Sequence, residues 1–163
     1  MDYGTTNPLA AYSIYDDGRI SRVEDEYYFD SKEKCYQKTD KEYGDDLEEF
    51  MHKEMQPVSR IIMDPSAASF KVEMRRRGYV VKAADNEVLE GIRLTSSAFF
   101  KKILIINKHK CPKLVRELHG YIWDAKAADR GVEQPVKLED HGCDAIRYFV
   151  ATILKIRILR GLR

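Results

Sequence analysis

The sequence has no apolar run approaching the roughly 20 residues that a membrane-spanning helix needs. Its opening also lacks the basic region and apolar stretch of a secretion signal. Cysteine is scarce: Cys35, Cys111 and Cys143 are far apart, odd in number and include no CxxC pair. That argues against a zinc ribbon or a disulfide framework and favours a reducing compartment. The nucleophile motif GxSxG, the zinc motif HExxH and the phosphate-cradling Walker A pattern are all missing, and Gly78 and Gly91 stand alone. Without internal repeats or a low-complexity linker, a single domain over residues 1–163 is the simplest organisation.

What is present suits a soluble globular domain: 163 residues, 44% hydrophobic and 34% charged, enough chain to bury a core. The net charge of +1 hides an uneven distribution. Residues 1–50 hold 14 Asp/Glu against 6 Lys/Arg, and the remainder 13 against 22, so −8 and +9 sum to +1. A basic C-terminal half could meet a polyanion; the plainer alternative is a set of solvated faces. The acidic stretch 24–49 has no function legible in the sequence. Met1-Asp2-Tyr3-Gly4 reads as a strand end entering a turn, an abrupt start that suggests a fragment of a longer chain.

Local patterns predict an α/β order. Leu9–Tyr15 and Ile20–Phe29 flank the turn signal Asp16-Asp17-Gly18 and read as a β-hairpin. Residues 30–44 read as polar loop and 45–55 as helix. The apolar run VSRIIM (Val58–Met63) reads as a buried strand, followed by a helix over 67–77 that Gly78 stops. Tyr79–Lys82 reads as the next strand, giving a parallel strand–helix–strand unit. Further on, 86–98 reads as helix, 99–107 as strand with a hairpin at its lysines, and 111–123 as an amphipathic helix. Residues 124–138 read as polar loop, and a last helix runs over about 139–159 with a tail expected to fray.

Three acidic residues stand where strands or helices could present them. Asp2 ends a strand, Asp64 ends VSRIIM, and Asp144 lies three residues after His141 on the last helix. Positions i and i+3 share a helix face, so His141 and Asp144 point the same way, away from the Ile146/Phe149/Val150 stripe. Such a pair can bind a divalent cation, or one member can orient the other; acids at a helix N-terminus need no such role. Asp64 sits where α/β sheets place ligands, and equally could cap the following helix. Oxygen-rich sites with few protein ligands suit magnesium or manganese.

The order of motifs resembles the C-terminal nuclease domain of tailed-phage terminase large subunits, most closely the PBSX type. MDYGTTNP (Met1–Pro8) resembles the strand end that opens those domains, and Ile61–Arg93 their second acidic motif. Glu117–Ile153 resembles their closing motif, centred on DHGCDAIRY (Asp140–Tyr148). The resemblance covers about residues 1–155 and implies an α/β, ribonuclease H-like fold: a central mixed β-sheet flanked by α-helices. It implies a two-metal endonuclease, using Mg2+ or Mn2+, that cuts concatemeric viral DNA during packaging in the host cytoplasm. Carried over by motif, Asp2, Asp64 and Asp144 would be metal ligands and catalytic residues, with His141 beside them. Double-stranded DNA, a terminase ATPase domain, the small terminase subunit and the portal protein would be partners.

Lys101, Lys102, Lys108 and Lys110 flank the strand around Ile103–Ile106 and are the expected DNA contacts, binding phosphates without reading sequence. Arg75, Arg76 and Arg77 serve equally as DNA contacts or as compensation of a helix dipole. Tyr27, Tyr28 and Trp123 read as packing residues rather than base-stacking platforms. Two other readings stay open: another ribonuclease H-like enzyme, such as a resolvase or transposase core, and a catalytically inert DNA-binding or docking module.

Overall fold

A computed structural model of the protein describes residues 1–4, 7–53 and 57–161. Thr5 and Thr6 of the opening motif, the end of the helix expected over 45–55, and the last two residues of the tail lie outside the described residues. The hairpin forms as its turn signal predicts: β1 (Leu9–Asp16) pairs antiparallel with β2 (Ser21–Phe29), with a register shift at Ser13/Ile14. Asp17 closes the turn by accepting from the amides of Arg19 and Ile20 at 2.8 and 2.7 Å. The far edge of β2 takes a parallel strand, β5 (Leu104–Ile106). The sheet is therefore mixed, in the order β1-β2-β5.

A second, two-stranded parallel sheet joins β3 (Ile61–Met63) to β4 (Val81–Ala83) through helix α3 (Ala68–Arg76), the expected strand–helix–strand unit. Residues 1–3 link the two sheets. Asp2 and Ala10 exchange backbone hydrogen bonds of 2.9 and 3.0 Å, and the Met1 amino group donates to the Ile62 carbonyl at 2.6 Å. Asp2 thus stands between the sheets, beside the end of β3 that carries Asp64.

The stretch 30–44, expected as loop, is partly helical. Asp30 caps a short helix, α1 (Ser31–Lys34), and Thr39 with Glu42 forms a capping box that starts α2 (Asp40–His52). Gly44 falls inside α2 because the Arg77 guanidinium lies where a Cβ would be. Helix α4 (Val88–Phe100) absorbs Phe99 and Phe100, which read as strand, because Lys102 at φ 55° ends it with a left-handed turn. Hence the lysines form no hairpin, and β5 is only three residues long. Helix α5 (Pro112–Gly120) is shorter than expected; Tyr121 and Ile122 lie beyond its end, and Ile122 is exposed. A short helix, α6 (Ala125–Ala128), interrupts the expected loop 124–138.

The last helix begins at His141 as α7 (His141–Phe149), widens to a π-helical turn over Val150–Leu154, and continues as α8 (Lys155–Arg160), so the segment expected to fray is helical. Ile146, Val150, Leu154 and Ile158 are fully buried on its inner face, against Leu94, Leu104 and Leu114. A second apolar cluster, built on Tyr43, Phe70, Met63 and Met74, packs α2 and α3 onto the other sheet. Burial at about 25 cal/mol per Å² of apolar surface makes these two clusters the main support of the sheets and of what they carry.

Candidate metal centre

A cleft of about 880 Å³ is lined by Asp2, Asp64, His141 and Asp144 together with Tyr28, Asp140 and Tyr148. All four residues singled out as site candidates thus face one opening, although they come from the first residues, from the end of β3 and from α7. Lys101, Lys102, Lys108 and Lys110 do not line it; Lys101 instead donates to the Ile158 carbonyl at 3.1 Å. The cations on the cleft wall are Lys32, Lys113, Arg116 and Lys137. Arg75 and Arg77 are taken up by structure: Arg75 bonds the Val81 carbonyl, and Arg77 pairs with Asp45, Glu48 and Glu73.

Asp2 and Asp64 are held by partners from a distant segment, whereas Asp144 is held by near neighbours in sequence. The His141 Nδ1 lies 2.9 Å from Asp2 Oδ2 across 139 residues of sequence. That hydrogen bond raises the imidazole pKa above its ordinary value, against the opposing effect of burial. Asp64 uses both oxygens: Oδ1 accepts from the Ser66 amide at 2.7 Å, and Oδ2 from the Tyr148 phenol at 2.9 Å. Burial opposes its ionisation, but the hydrogen bonds from Ser66 and Tyr148 outweigh that and hold its pKa below the usual value. Asp64 is therefore a cleft residue that also closes a turn at Ser66; it does not cap α3, which starts after Ala67 with no side-chain cap, so the capping alternative for Asp64 fails.

Asp144 receives the buried Arg147 guanidinium on Oδ1, at 2.9 and 3.2 Å. Arg147 also donates to the carbonyls of Asn86 and Glu87 at 2.8 and 3.1 Å, tying α7 to the start of α4. Gly91 makes this possible, since a Cβ there would stand 2.6 Å from the Arg147 Cγ. Asp144 Oδ2 faces the Lys137 ammonium at 3.5 Å, and the same ammonium lies 3.1 Å from Asp140 Oδ2.

Three residues of the site had no role in the sequence reading. Tyr148 is one turn beyond Asp144 on α7; burial, then the charges of Asp2, Asp144 and Asp64, raise its phenol pKa far above the ordinary value, so it remains a donor. Glu117, buried on α5, accepts from the amides of Gly142 and Cys143 at 2.6 and 3.2 Å and from the Tyr28 phenol at 2.8 Å. It caps the N-terminus of α7 from outside that helix. Glu26 does the same for α5, accepting from the amides of Lys113 and Leu114 at 2.8 and 3.1 Å. The signal that could have exposed Tyr148 is its i+4 spacing from Asp144; nothing local marks Glu117.

Among the described residues, no three His, Cys, Asp or Glu side chains are close enough to one another to chelate a single ion. The donor chemistry nevertheless fits a hard divalent cation: carboxylate oxygens from Asp2, Asp64, Asp140 and Asp144 in one open, polar cleft. Arg147 and Lys137 pair with Asp144, and His141 with Asp2.

The fold has counterparts among solved structures. The large terminase of a thermophilic bacteriophage, solved in complex with ADP, superposes with a TM-score of 0.89 at 43% identity over 94% of this chain. The chain is homologous to phage large terminases. It spans 38% of the length of that relative. The nuclease domain of the SPP1 bacteriophage large terminase, solved with bound Mn, matches with a TM-score of 0.58 at 18% identity, over 90% of this chain and 80% of that one. That likeness concerns the fold: this terminase homologue is an α/β domain with a mixed sheet flanked by helices, of ribonuclease H-like type. No protein-family model and no curated protein matches the chain.

Proposed function

We propose that this domain is a divalent-metal-dependent endonuclease that cuts concatemeric double-stranded viral DNA during genome packaging. The observation that carries the reading is the gathering of Asp2, Asp64, His141 and Asp144 around one cleft in a homologue of the large terminases. The manganese in the SPP1 relative supports Mg2+ or Mn2+ as cofactor.

A pair of such ions, bound here, would activate a water and stabilise the leaving 3′-oxygen of the phosphodiester. The protein's share is arrangement. Asp2, Asp64 and Asp144 supply oxygen donors, and His141 at Asp2 either orients that carboxylate through Nδ1 or adds a ligand through its other nitrogen. Tyr148 fixes Asp64, and Arg147 fixes Asp144 from the buried side, so both carboxylates keep a set position on the cleft wall. Lys32, Lys113 and Arg116 stand on the cleft wall where a phosphate backbone would pass. Lys101, Lys102, Lys108 and Lys110, farther off, would serve flanking duplex.

In this reading the domain works alongside a terminase ATPase domain, the small terminase subunit and the portal protein, in the host cytoplasm. Among the described residues, no helix is long and apolar enough to cross a membrane. The test is supercoiled plasmid incubated with the protein and manganese, magnesium or EDTA, beside Asp64→Ala. Nicking and linearisation with metal, abolished by EDTA and by Asp64→Ala, is the expected outcome. Equal inertness of parent and variant, with no shift of melting temperature by manganese, would move the inert docking module to the front.

A further inference from the structure

We propose that Leu138 is a specificity-determining residue: an apolar wedge that enters the minor groove of bound duplex DNA beside the scissile phosphate and favours cutting at deformable pyrimidine–purine steps. The inference rests on the endonuclease reading above and adds to it a contact with the bases.

A single exposed leucine on an open surface calls for no explanation. Leu138 stands elsewhere. It is 73% exposed, and of the exposed large apolar side chains among the described residues it alone lines the cleft. The backbone holds it there from both sides. On the N-terminal side, Val136 donates to the Ile122 carbonyl at 2.9 Å, in a ribbon where Trp123 bridges to Pro135. On the C-terminal side, Glu139 is left-handed at φ 47°, a conformation disfavoured for a residue with a Cβ. The Arg116 guanidinium, 2.8 Å from Glu139 Oε2, holds that turn from α5. Asp140 follows, and its carbonyl accepts from the Asp144 amide at 2.8 Å in the first turn of α7. Backbone strain kept between a paired ribbon and a helix start points to a task for the residue it presents.

The task follows from the place. His141 is three residues on, a reach of at most about 11 Å, so a contact at Leu138 falls within roughly three base pairs of the phosphate at the carboxylates. Lys32, Lys113 and Arg116 in the same cleft attract phosphates, which an isobutyl group does not. An isobutyl group packs between base pairs instead. Leucine wedges part adjoining base pairs from the minor groove and kink the duplex, most easily at TA and CA/TG steps. Specificity then comes from how readily a step deforms, with no hydrogen bond to a base.

The experiment maps manganese-dependent nicks on one plasmid for the parent, Leu138→Ser and Leu138→Met. It also follows 2-aminopurine emission in a short duplex carrying that base at a TA step, with calcium in place of manganese. Thermal melts check folding. The parent and Leu138→Met should nick TA and CA/TG steps roughly tenfold more often than GG/CC steps, and Leu138→Ser should spread its nicks evenly. The probe should brighten with the parent and Leu138→Met, as an unstacked base does, and stay dim with Leu138→Ser. The salt dependence of binding should be equal in all three, because no phosphate contact is lost. The same nick distribution and the same emission in all three proteins overturn the proposal and leave the endonuclease reading standing. If the parent does not nick at all, the endonuclease reading fails and the probe decides: emission raised by the parent but not by Leu138→Ser keeps the wedge, and emission unchanged by the parent removes it.

Discussion

The Tyr148 phenol donates to Asp64 Oδ2 at 2.9 Å across 84 residues of sequence, which locks the end of β3 to the last turn of α7. The bond matters because Asp64 has no other side-chain partner from α7, and because Tyr148 shares its helix with His141 and Asp144. One contact therefore sets the spacing between the strand-borne and the helix-borne carboxylates.

Tyr148→Phe should keep the fold and lose the spacing. The ring stays buried, and the missing hydrogen bond costs about 1 kcal/mol of stability. Plasmid nicking should slow about tenfold, with the manganese concentration for half-maximal rate rising in step. The comparison is nicking rate against manganese concentration for parent and variant; an unchanged half-maximal concentration would show that Tyr148 does not position Asp64.

Much of this arrangement is legible in the sequence, and the rest is not for identifiable reasons. The hairpin, the β3–α3–β4 unit and the one-sided placement of His141 and Asp144 follow from turn residues and from periods of 2 and 3.6, which are local properties. The α1 and α2 starts are hidden in the sequence because Asp30, Thr39 and Glu42 look the same as loop residues until they cap a helix. In the same acidic stretch Asp45, Glu48 and Glu26 are also spent on the fold, against Arg77 and on α5. The lysines around β5 carry a charge signal without a location, and packing sets their place away from the cleft. Glu117 and the bonds of Arg147 to the Asn86 and Glu87 carbonyls act across elements, and no spacing within one sequence reveals such pairings, whereas the i,i+3 pairs Arg147–Asp144 and Lys137–Asp140 are local.

Gly142 tests how tightly the start of α7 is built. A Cβ at this position would stand 2.8 Å from Glu117 Oε2 and closer still to the Tyr12 hydroxyl, both of them buried. Neither neighbour has room to retreat, because Glu117 is held by two amides and Tyr28, and the Tyr12 ring packs against the core. Gly142→Ala should destabilise the protein by roughly 1–3 kcal/mol, the cost of overpacking. It should also weaken manganese-dependent nicking beyond what the lost stability explains, since His141 and Asp144 ride on the same first turn. Urea unfolding and nicking on the same preparations check both parts; a variant as stable as the parent would mean that Glu117 and Tyr12 move easily.

The far end of the last helix is tied down by a different pair. Arg157 on α8 donates to both oxygens of Asp16 at the end of β1, each at 2.9 Å. These hydrogen bonds are the main reason that the Asp16 carboxyl titrates below its ordinary value of 3.8. A depressed folded value means that stability from this pair is complete above about pH 4 and is lost as the pH falls through the folded value. Both side chains are partly open to water, so screening limits the contribution to roughly 0.5–1 kcal/mol. Asp16→Asn should lower the urea midpoint at pH 7, and the gap between parent and variant should narrow steadily from pH 4 to pH 3 and shrink in molar salt. A gap that persists unchanged at pH 3 would assign the effect to packing of the Asp16 side chain instead of its charge. The pair lies away from the cleft, so Asp16→Asn should leave manganese affinity as it is, which separates the anchoring of this helix from the chemistry at its other end.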